Sequence, residues 1–280
     1  MKEIPADAST VVLLRTCPNA GIQDIEVLMV KRNRKSSFVP GFYVFPGGVV
    51  DSGDFEVGIE CFIRGVDRVK ASHLLCDMKP ANKALGAWVA AVRETFEEVG
   101  ILLAERENGT LVTNRMEEER QRFCYYRQSL IGNEMRFSQM LGKEELFLPL
   151  DRLHYFSHWI TPEFLPLRYD VRFFVTEMPP DQDVTHDGVE LTDHIWIRPS
   201  EALRQYEQGV MDMVLPQIMT LEDMKRCKTV AEVIDLARKR HVSATLTKIQ
   251  QVDGKDVEVM PDGSGFEGRL PVYSWPERND

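Results

Sequence analysis

Residues 93–101 read RETFEEVGI, and this short run decides both the fold and the chemistry that the sequence predicts. Glu94, Glu97 and Glu98 are spaced i, i+3 and i+4, so on a helix they share one face within a single turn. Like charges at this spacing repel one another, and the face gains stability only when a cation or a basic partner lies among them. Hard divalent cations bind carboxylate oxygens and pair with substrate phosphates. The run therefore predicts a metal site for phosphate chemistry.

The residues around this run favour a helix. Residues 84–92, ALGAWVAAV, contain good helix formers and no proline. Val92, Phe96 and Val99 recur at i, i+4 and i+7 and predict a buried stripe beside the acidic one. Gly100 follows at a position where a helix C-terminus favours a left-handed residue. A solvated surface helix with an acidic face is the alternative interpretation.

A glycine-rich bend lies upstream of the helix. Residues 38–54 read FVPGFYVFPGGVVDSGD, in which strand-forming residues alternate with turn residues. Gly47 and Gly48 let the backbone turn sharply and approach a ligand closely. The segment therefore predicts short strands joined by a bend that lies near a bound group.

Together, the bend and the acidic run resemble the motif of the Nudix hydrolase family. That motif is a Gly, five residues, a Glu, seven residues, and then Arg-Glu-aliphatic-any-Glu-Glu-any-Gly-aliphatic. Gly48 and the run from Arg93 match it, while Thr95 occupies an aliphatic position and Asp54 stands where the family has Glu. Asp54 is one methylene shorter, so it retains the chemistry of the family residue with less reach.

The two halves of the motif are separated by an insertion. Residues 55–92 are 38 in number where the motif has seven. The halves need only be adjacent in space, so a looped-out segment is tolerated at modest entropic cost. A coenzyme A diphosphatase branch of the family, peroxisomal in animals and with bacterial relatives, carries such an insertion. Residues 44–49, VFPGGV, and 159–163, WITPE, are similar to that branch.

The resemblance covers most of residues 9–240 and implies an α/β fold. The implied architecture is a Nudix α/β/α sandwich with a mixed sheet, extra helices and an insertion within the motif. We expect a Nudix domain over residues 1–242, with the insertion at about 55–85 and an extra helical region at about 115–146. Residues 243–280 are expected to form a C-terminal extension that packs on the domain or on a partner subunit.

The chemistry of diphosphate hydrolysis assigns roles to the acidic face. Mg²⁺ or Mn²⁺ held by Glu94, Glu97 and Glu98 neutralises phosphate charge, and the carbonyl of Gly47 is expected to complete the shell. The catalytic set is predicted to be Glu94, Glu98 and Arg93, in which either glutamate is the base. Arg93 is expected to orient the acidic residues through an ion pair.

Substrate contacts are predicted on both sides of the bend. Arg32 and Arg34 precede it and are expected to meet an outer phosphate of the substrate, with a solvated turn as the alternative. Gly48 is expected to contact the substrate through its backbone. Glu190 is the candidate for an additional acidic residue outside the motif, and a solvated loop glutamate is equally compatible with its position.

The resemblance implies a Mg²⁺-dependent Nudix hydrolase of coenzyme A or acyl-CoA. The products are then 4′-phosphopantetheine, or its acyl form, and adenosine 3′,5′-bisphosphate. One alternative is hydrolysis of another nucleoside diphosphate derivative, such as ADP-ribose or a dinucleotide. Another is a catalytically inactive module that binds a ligand.

The composition limits which binding partners and which cellular compartment we expect. The net charge of −10 disfavours nucleic acid and anionic membranes as partners, whereas a small phosphorylated substrate remains compatible because a bound cation reverses the local field. The five cysteines are scattered with no CxxC, which favours reduced thiols. Neither terminus shows a signal peptide or a Ser-Lys-Leu address. We expect a cytoplasmic monomer or homodimer.

Overall fold

A mixed sheet of eight strands forms the centre of the computed structural model, which describes residues 4–18, 23–36, 38–163, 165, 167–185, 191–252 and 255–266. Its strands follow the order β10-β7-β8-β1-β2-β3, with β4 paired to β1 and β9 paired to β2. A short parallel pair, β5 with β6, and a hairpin, β11 with β12, lie outside this sheet. The strands are β1 Ala6–Thr16, β2 Ile25–Arg32, β3 Tyr43–Val44, β4 Gly47–Val49, β5 Ile63–Arg64, β6 Leu148–Pro149, β7 His154–Ile160, β8 Tyr169–Glu177, β9 Leu191–Ile197, β10 Ala244–Leu246, β11 Lys248–Val252 and β12 Lys255–Val259.

Seven α-helices are present among the described residues. They are α1 Arg68–Leu74, α2 Ala81–Val99, α3 Glu117–Ile131, α4 Phe137–Glu144, α5 Pro199–Glu207, α6 Leu215–Met224 and α7 Val230–Lys239. The acidic run lies in α2, which ends at Gly100 with a left-handed φ of 71°, as the sequence predicts. None of the described helices has both the length and the apolar character that crossing a bilayer requires.

Strand β1 is buried on both faces. Val11 and Leu13 contact one hydrophobic core, whereas Val12 and Leu14 contact the other. The first core is built with α2, α3 and α4, and the second with α5, α6 and α7. Because β1 alternates between two cores, the sheet lies between two helical layers, which confirms the predicted α/β/α sandwich.

Helix α2 is fixed to the sheet by Trp88. The Trp88 ring packs at 4.8 Å, centroid to centroid, from the ring of Phe174 in β8. Its Nε1 donates to the carbonyl of Leu153 at 3.3 Å, so this buried donor is paired. The acidic face of α2 is therefore held in a fixed position relative to the strands.

A buried arginine attaches the inserted segment to the sheet. Arg172 of β8 donates from Nη2 to Asp77 of the insertion at 2.6 Å. Its Nη1 contacts Asp7 of β1 at 2.5 Å and Asp170 at 3.2 Å. Lys83, at the start of α2, also pairs with Asp7. The insertion contains one short 3₁₀ turn, Ile59–Phe62, and α1, and this ion-pair network joins it to β1 and β8.

The C-terminal segment packs on the same sheet. Strand β10 pairs in parallel with β7, and Met260 and Phe266 pack against the second core. The sequence pieces around Asp253 and Gly254 lie outside the described residues, whereas the strands that flank them form the β11–β12 hairpin. The division of the chain at residue 242 stays a prediction.

The attachment of the insertion can be tested with Asp77→Ala. Arg172 keeps Asp7 and Asp170 as partners, so we expect the fold to persist while residues 55–80 open more often. Because Asp77 is half-exposed, we expect a loss of about 1 kcal/mol and a rise of about fivefold in the rate of tryptic cleavage within the insertion. Glu60→Ala is the control, because Glu60 pairs with Arg68 inside the insertion. Equal cleavage rates in the two variants contradict the assignment.

Candidate active site

One hydrogen bond brings the acidic face of α2 to the glycine-rich bend. The backbone N–H of Gly47 donates to Glu98 Oε2 at 2.8 Å, although the two residues are far apart in sequence. Gly47 lies in β4, which pairs with residues 8–10 of β1. The bend is thus held by the sheet and the glutamate by the helix, so their contact is a fixed feature of the fold.

Gly48 lies against the carboxylate of Glu94. A Cβ added at Gly48 would lie 2.4 Å from Glu94 Cδ and 2.5 Å from both of its oxygens. Such a contact is far shorter than van der Waals packing permits, so the close approach requires a glycine. The bend therefore places a second glutamate of the motif directly against the backbone.

Arg93 is the centre of the buried polar network. It forms a bidentate pair with Asp54, with Nε–Oδ1 and Nη2–Oδ2 distances of 2.8 and 2.9 Å. Its Nη1 donates to Glu94 at 2.8 Å and to Glu97 at 3.1 Å, and its Nη2 donates to the carbonyl of Val49 at 2.9 Å. Asp54 is 1% exposed and Arg93 is 8% exposed. One guanidinium therefore joins the two halves of the motif across the insertion.

The shorter acid at position 54 reaches its partner because of the local backbone. Ser52–Phe55 forms a 3₁₀ turn, and the N–H of Asp51 donates to Asp54 Oδ2 at 2.8 Å. This turn places the Asp54 carboxylate within bidentate reach of Arg93, so the missing methylene does not prevent the ion pair.

The carboxylates exceed the positive charge available to them. Burial raises the pKa of Glu94 to about 7 and also raises the pKa of Glu97, although Arg93 opposes both shifts. Burial raises the pKa of Asp54 in the same way, and its hydrogen bonds with Arg93 again act in the opposite direction. Desolvation of clustered carboxylates disfavours their charged forms, and a nearby cation reverses that effect.

The donor set fits a hard divalent cation. Glu94, Glu98 and the backbone of Gly47 and Gly48 line one cavity, and all of them offer oxygen ligands. Glu97 lies outside the lining and is paired with Arg93. The roles predicted for Glu94, Glu97, Glu98, Gly47 and Arg93 thus remain compatible with the geometry and stay predictions.

A second group of ligand atoms has a different explanation. Among the described residues, Asp77, His158 and Asp170 place carboxylate and imidazole atoms within 4.8 Å of one another. Arg172 contacts both aspartates, and His158 Nε2 hydrogen-bonds to Asp170. A guanidinium therefore already supplies the positive charge in this group, which we interpret as the ion-pair network of the insertion. His158 itself is a buried residue of strand β7.

An arginine from the extra helical region supports the end of α2. Arg127 of α3 donates to the carbonyls of Glu97 at 2.8 Å and Glu98 at 2.7 Å, and to Thr185 Oγ1 at 3.0 Å. The last carbonyls of a helix lack intrahelical partners and carry partial negative charge, so a guanidinium there is favourable. Sequence reasoning missed this residue because no local signal links α3 to the end of α2.

Within α2, the departure at Thr95 is also accommodated. Its hydroxyl donates to the carbonyl of Ala91 at 2.7 Å, so the polar atom is paired within its own helix. A buried threonine therefore replaces the aliphatic residue of the motif without leaving an unpaired group.

The cavity beside the glycine-rich bend has a volume of about 370 Å³. Its acidic residues are Glu94 and Glu98 at the bend and Glu258 in the wall segment from β12, whereas most of its other lining residues are apolar. Clefts of about this size with few polar groups are typical of small-molecule sites. Its lining includes Phe38, Val44, Phe45, Trp159, Ile160, Leu165, Tyr169, Val171, Phe173, Val214, Gln217, Thr247 and Glu258.

The predicted substrate-binding residues are placed differently. Arg32 lines the cavity together with Gly48, and its Nε donates to the carbonyl of Phe38 at 3.1 Å. Arg34 is exposed and lies outside the lining. Glu190 lies outside the described residues. The substrate-binding roles of Arg32, Arg34 and Glu190 stay predictions.

Sequence reasoning missed three polar residues of the wall, namely Gln217, Thr247 and Glu258. They come from α6 and from the C-terminal segment, so only the folded chain brings them to the bend. The VFPGGV and WITPE runs are parts of this wall that the sequence singled out.

Comparison with other proteins identifies relatives of this chain. A model of the family described as "NUDT19 Nudix domain" matches residues 6–224. The chain is 30% identical over 224 residues to the acyl-coenzyme A diphosphatase NUDT19 of Xenopus laevis. This alignment covers 71% of the present chain and 59% of the Xenopus protein. It is 23% identical over 241 residues to the human protein of the same name, covering 76% and 63% respectively.

The fold is similar to that of a solved bacterial protein. A NUDIX hydrolase from Alicyclobacillus acidocaldarius superposes with a TM-score of 0.65 at 28% identity, covering 83% of this chain and 96% of that chain. This likeness confirms the predicted fold class. The chain spans 56–66% of the length of the curated relatives that it matches.

Gly48→Ala tests the close approach of Glu94 to the bend. The atom that a new Cβ meets is the end of a flexible side chain, so we expect the fold to persist while Glu94 is displaced. Mn²⁺ affinity, measured by calorimetry, should fall at least about tenfold because one ligand is lost. Gly53→Ala is the matched control, because a Cβ at Gly53 meets nothing within 4 Å. Unchanged affinity in Gly48→Ala contradicts the arrangement.

Asp54→Ala tests the buried ion pair. Removing one partner leaves part of the Arg93 charge uncompensated, and we expect a loss of about 3 kcal/mol in the free energy of unfolding. Asp51→Ala is the control, since Asp51 is exposed and lies 3.8 Å from Arg93, and it should cost less than about 0.5 kcal/mol. Urea denaturation measures both values, and equal losses would refute the assignment.

Proposed function

This chain belongs to the NUDT19 Nudix domain family, and we propose from that membership that it hydrolyses the diphosphate linkage of coenzyme A or acyl-CoA. The products are 4′-phosphopantetheine, or its acylated form, and adenosine 3′,5′-bisphosphate. The names of the Xenopus and human relatives support the choice of substrate. We propose Mg²⁺ or Mn²⁺ as the cofactor, since the donor atoms of the acidic face are all oxygens.

One observation carries the proposal. The hydrogen bond from Gly47 to Glu98 brings the acidic face of α2 into a cavity whose remaining wall is largely apolar. A diphosphate joined to a long uncharged arm has this same division between a charged centre and an apolar extension. Substrate chemistry and site polarity are therefore matched.

Different residues of the site have different roles in the proposed hydrolysis. A divalent cation, when bound by Glu94, Glu97 and Glu98, supplies neutralisation of charge on the phosphate oxygens. Arg93 holds Glu94 and Glu97 in position through its Nη1. Glu94 or Glu98 accepts a proton from water as the water oxygen attacks phosphorus and the bridging P–O bond breaks. Arg32 lines the cavity, and we propose that its guanidinium pairs with a phosphate oxygen of the substrate.

The proposal also covers the substrate class, the cellular compartment and the oligomeric state. The substrate is a small phosphorylated molecule, and the acidic net charge of −10 favours it over nucleic acid or an anionic membrane surface. All five cysteines are free, which fits a reducing compartment. We propose a cytoplasmic monomer or homodimer.

A substrate panel with Mg²⁺ tests this function. We expect cleavage of coenzyme A and acyl-CoA to exceed that of ADP-ribose and NADH by at least about tenfold in kcat/KM, because only the former carry the long uncharged arm. EDTA should abolish turnover, and added Mg²⁺ should restore it. Phosphate-containing products can be quantified by chromatography. Preference for ADP-ribose would contradict the substrate, and no turnover of any compound would favour a binding module.

The role of the acidic face in that assay is tested by Glu98→Gln. The variant keeps the size of the side chain while it removes a charge needed for metal binding or for proton transfer, so kcat/KM should fall by at least about 10²-fold. Glu118→Gln, on the exposed face of α3, is the matched control. Near-normal turnover of Glu98→Gln would remove this residue from the active site.

A further inference from the structure

Two pairs of aromatic rings line the cavity, and they differ in how far the protein covers them. Phe45 and Phe173 pack edge to face with ring centroids 6.4 Å apart, and each residue is 2% exposed. Phe38 and Tyr169 also pack edge to face, at 5.0 Å, but both are only half-buried. The second pair therefore keeps solvent-accessible aromatic surface while it contributes to the cavity lining.

Hydrogen bonds fix the segments that carry this second pair. The N–H of Tyr169 donates to Thr161 Oγ1 at 3.0 Å, and the N–H of Thr161 donates to the carbonyl of Tyr169 at 2.9 Å. Arg32 of β2 donates from its backbone N–H to the carbonyl of Phe42 at 2.9 Å and from Nε to that of Phe38 at 3.1 Å. Because both segments are attached to the sheet, the rings need little ordering when a ligand binds.

Partly covered aromatic rings in a ligand cavity suit a planar partner. A nucleobase has a π-face that stacks on aromatic side chains, and such stacking contributes to binding beyond the apolar area that it buries. A flexible aliphatic chain gains only the burial of apolar area from the same surface. The Phe38–Tyr169 pair therefore favours a base over an aliphatic arm.

Arg32 adds a positive charge to the same part of the lining. Its Nε lies 3.1 Å from the carbonyl oxygen of Phe38, and the residue lines the cavity. Guanidinium groups bind phosphate oxygens, and a nucleotide carries its phosphate on the sugar that bears the base. The base and a phosphate of one nucleotide thus find neighbouring partners here.

The more deeply buried apolar lining suits the other half of the substrate. Four of its residues are at most 9% exposed, namely Val44, Phe45, Phe173 and Val214. Contact with an uncharged arm removes the remaining apolar surface of these residues from water. The lining therefore offers different surfaces to a base and to an arm.

We propose that Phe38 and Tyr169 form a subsite for the adenine base of the substrate, with Arg32 bound to a phosphate of the same nucleotide. The base stacks on the accessible ring surface, and the edge-to-face contact lets each ring support the other. The uncharged arm lies along the buried apolar residues. This inference rests on the proposed function, in which coenzyme A supplies both the adenine nucleotide and the arm.

Phe38→Leu and Tyr169→Leu test the subsite, because they remove the aromatic faces while the side chains stay large and apolar. The probes are the two halves of coenzyme A, adenosine 3′,5′-bisphosphate and 4′-phosphopantetheine, neither of which contains a diphosphate linkage. We expect the Kd of the bisphosphate, measured by calorimetry with Mg²⁺, to rise about tenfold in each variant. The Kd of 4′-phosphopantetheine should change less than about twofold, since it has no base to stack.

Three further variants serve as controls. Phe38→Tyr and Tyr169→Phe keep an aromatic ring and should bind the bisphosphate with the affinity of the wild type. Tyr125→Leu removes a 59% exposed ring that also belongs to an aromatic pair but lies outside the cavity lining, so neither Kd should change. A tenfold loss in both ring-keeping variants would show that stacking is not the interaction and would overturn the subsite.

A measurement on the wild type tests the subsite even if the leucine variants fail to fold. Ring currents of stacked aromatic side chains move the H2 and H8 resonances of a bound adenine to higher field. We expect such upfield shifts when adenosine 3′,5′-bisphosphate is titrated with the protein in the presence of Mg²⁺. Binding without these shifts, or no binding of the bisphosphate at all, refutes the subsite.

The same probes separate this inference from the proposed function. If coenzyme A is not cleaved but bisphosphate affinity depends on both rings, the proposed function fails and the subsite stands. If coenzyme A is cleaved and bisphosphate affinity is unchanged in both leucine variants, the function stands and the subsite is refuted. A loss confined to 4′-phosphopantetheine would assign the rings to the arm. Equal losses for both halves together with a lower Tm would assign them to the core, and either result overturns the subsite.

Discussion

The ion pair between Arg93 and Asp54 is the interaction on which the rest of the site depends. It joins a 3₁₀ turn before the insertion to the helix after it, and it is buried on both sides. The same guanidinium donates to Glu94 and Glu97. Arg93 therefore both joins the two halves of the motif and orients the acidic face of α2. A buried arginine with a full set of acceptors is stable, whereas any missing partner leaves a charge in a desolvated place.

The cavity results from the way in which the two helical layers meet at the bend. Helix α2 packs in the first core, whereas Phe45, Trp159 and Phe173 belong to the second. Gly47 and Gly48 lie between them without side chains, so the carboxylates of Glu94 and Glu98 share one cavity with apolar residues of both cores. The polarity of the site therefore follows from the meeting of residues from both cores at the bend and from the two glycines.

Local patterns in the sequence predicted the parts of this structure that local forces determine. The apolar stripe of α2 and its end at Gly100 follow from helical spacing, and the strands follow from β-branched and aromatic runs. Contacts between distant segments had no such signal. Arg127 at the end of α2 and Asp77 at Arg172 are pairs that only tertiary packing creates. Gln217 appears in sequence as an ordinary helix residue, and its place in the cavity wall is visible only in the folded chain.

The C-terminal segment contributes to the cavity wall, whereas the acidic residues at the bend come from α2. The family match ends at residue 224, yet Thr247 and Glu258 contribute to the cavity wall. Substitutions in this tail can reshape the far side of the pocket while α2 and the bend stay unchanged. Under the proposed function, variation in this segment would change the wall that the substrate's far end meets while Glu94 and Glu98 keep their positions.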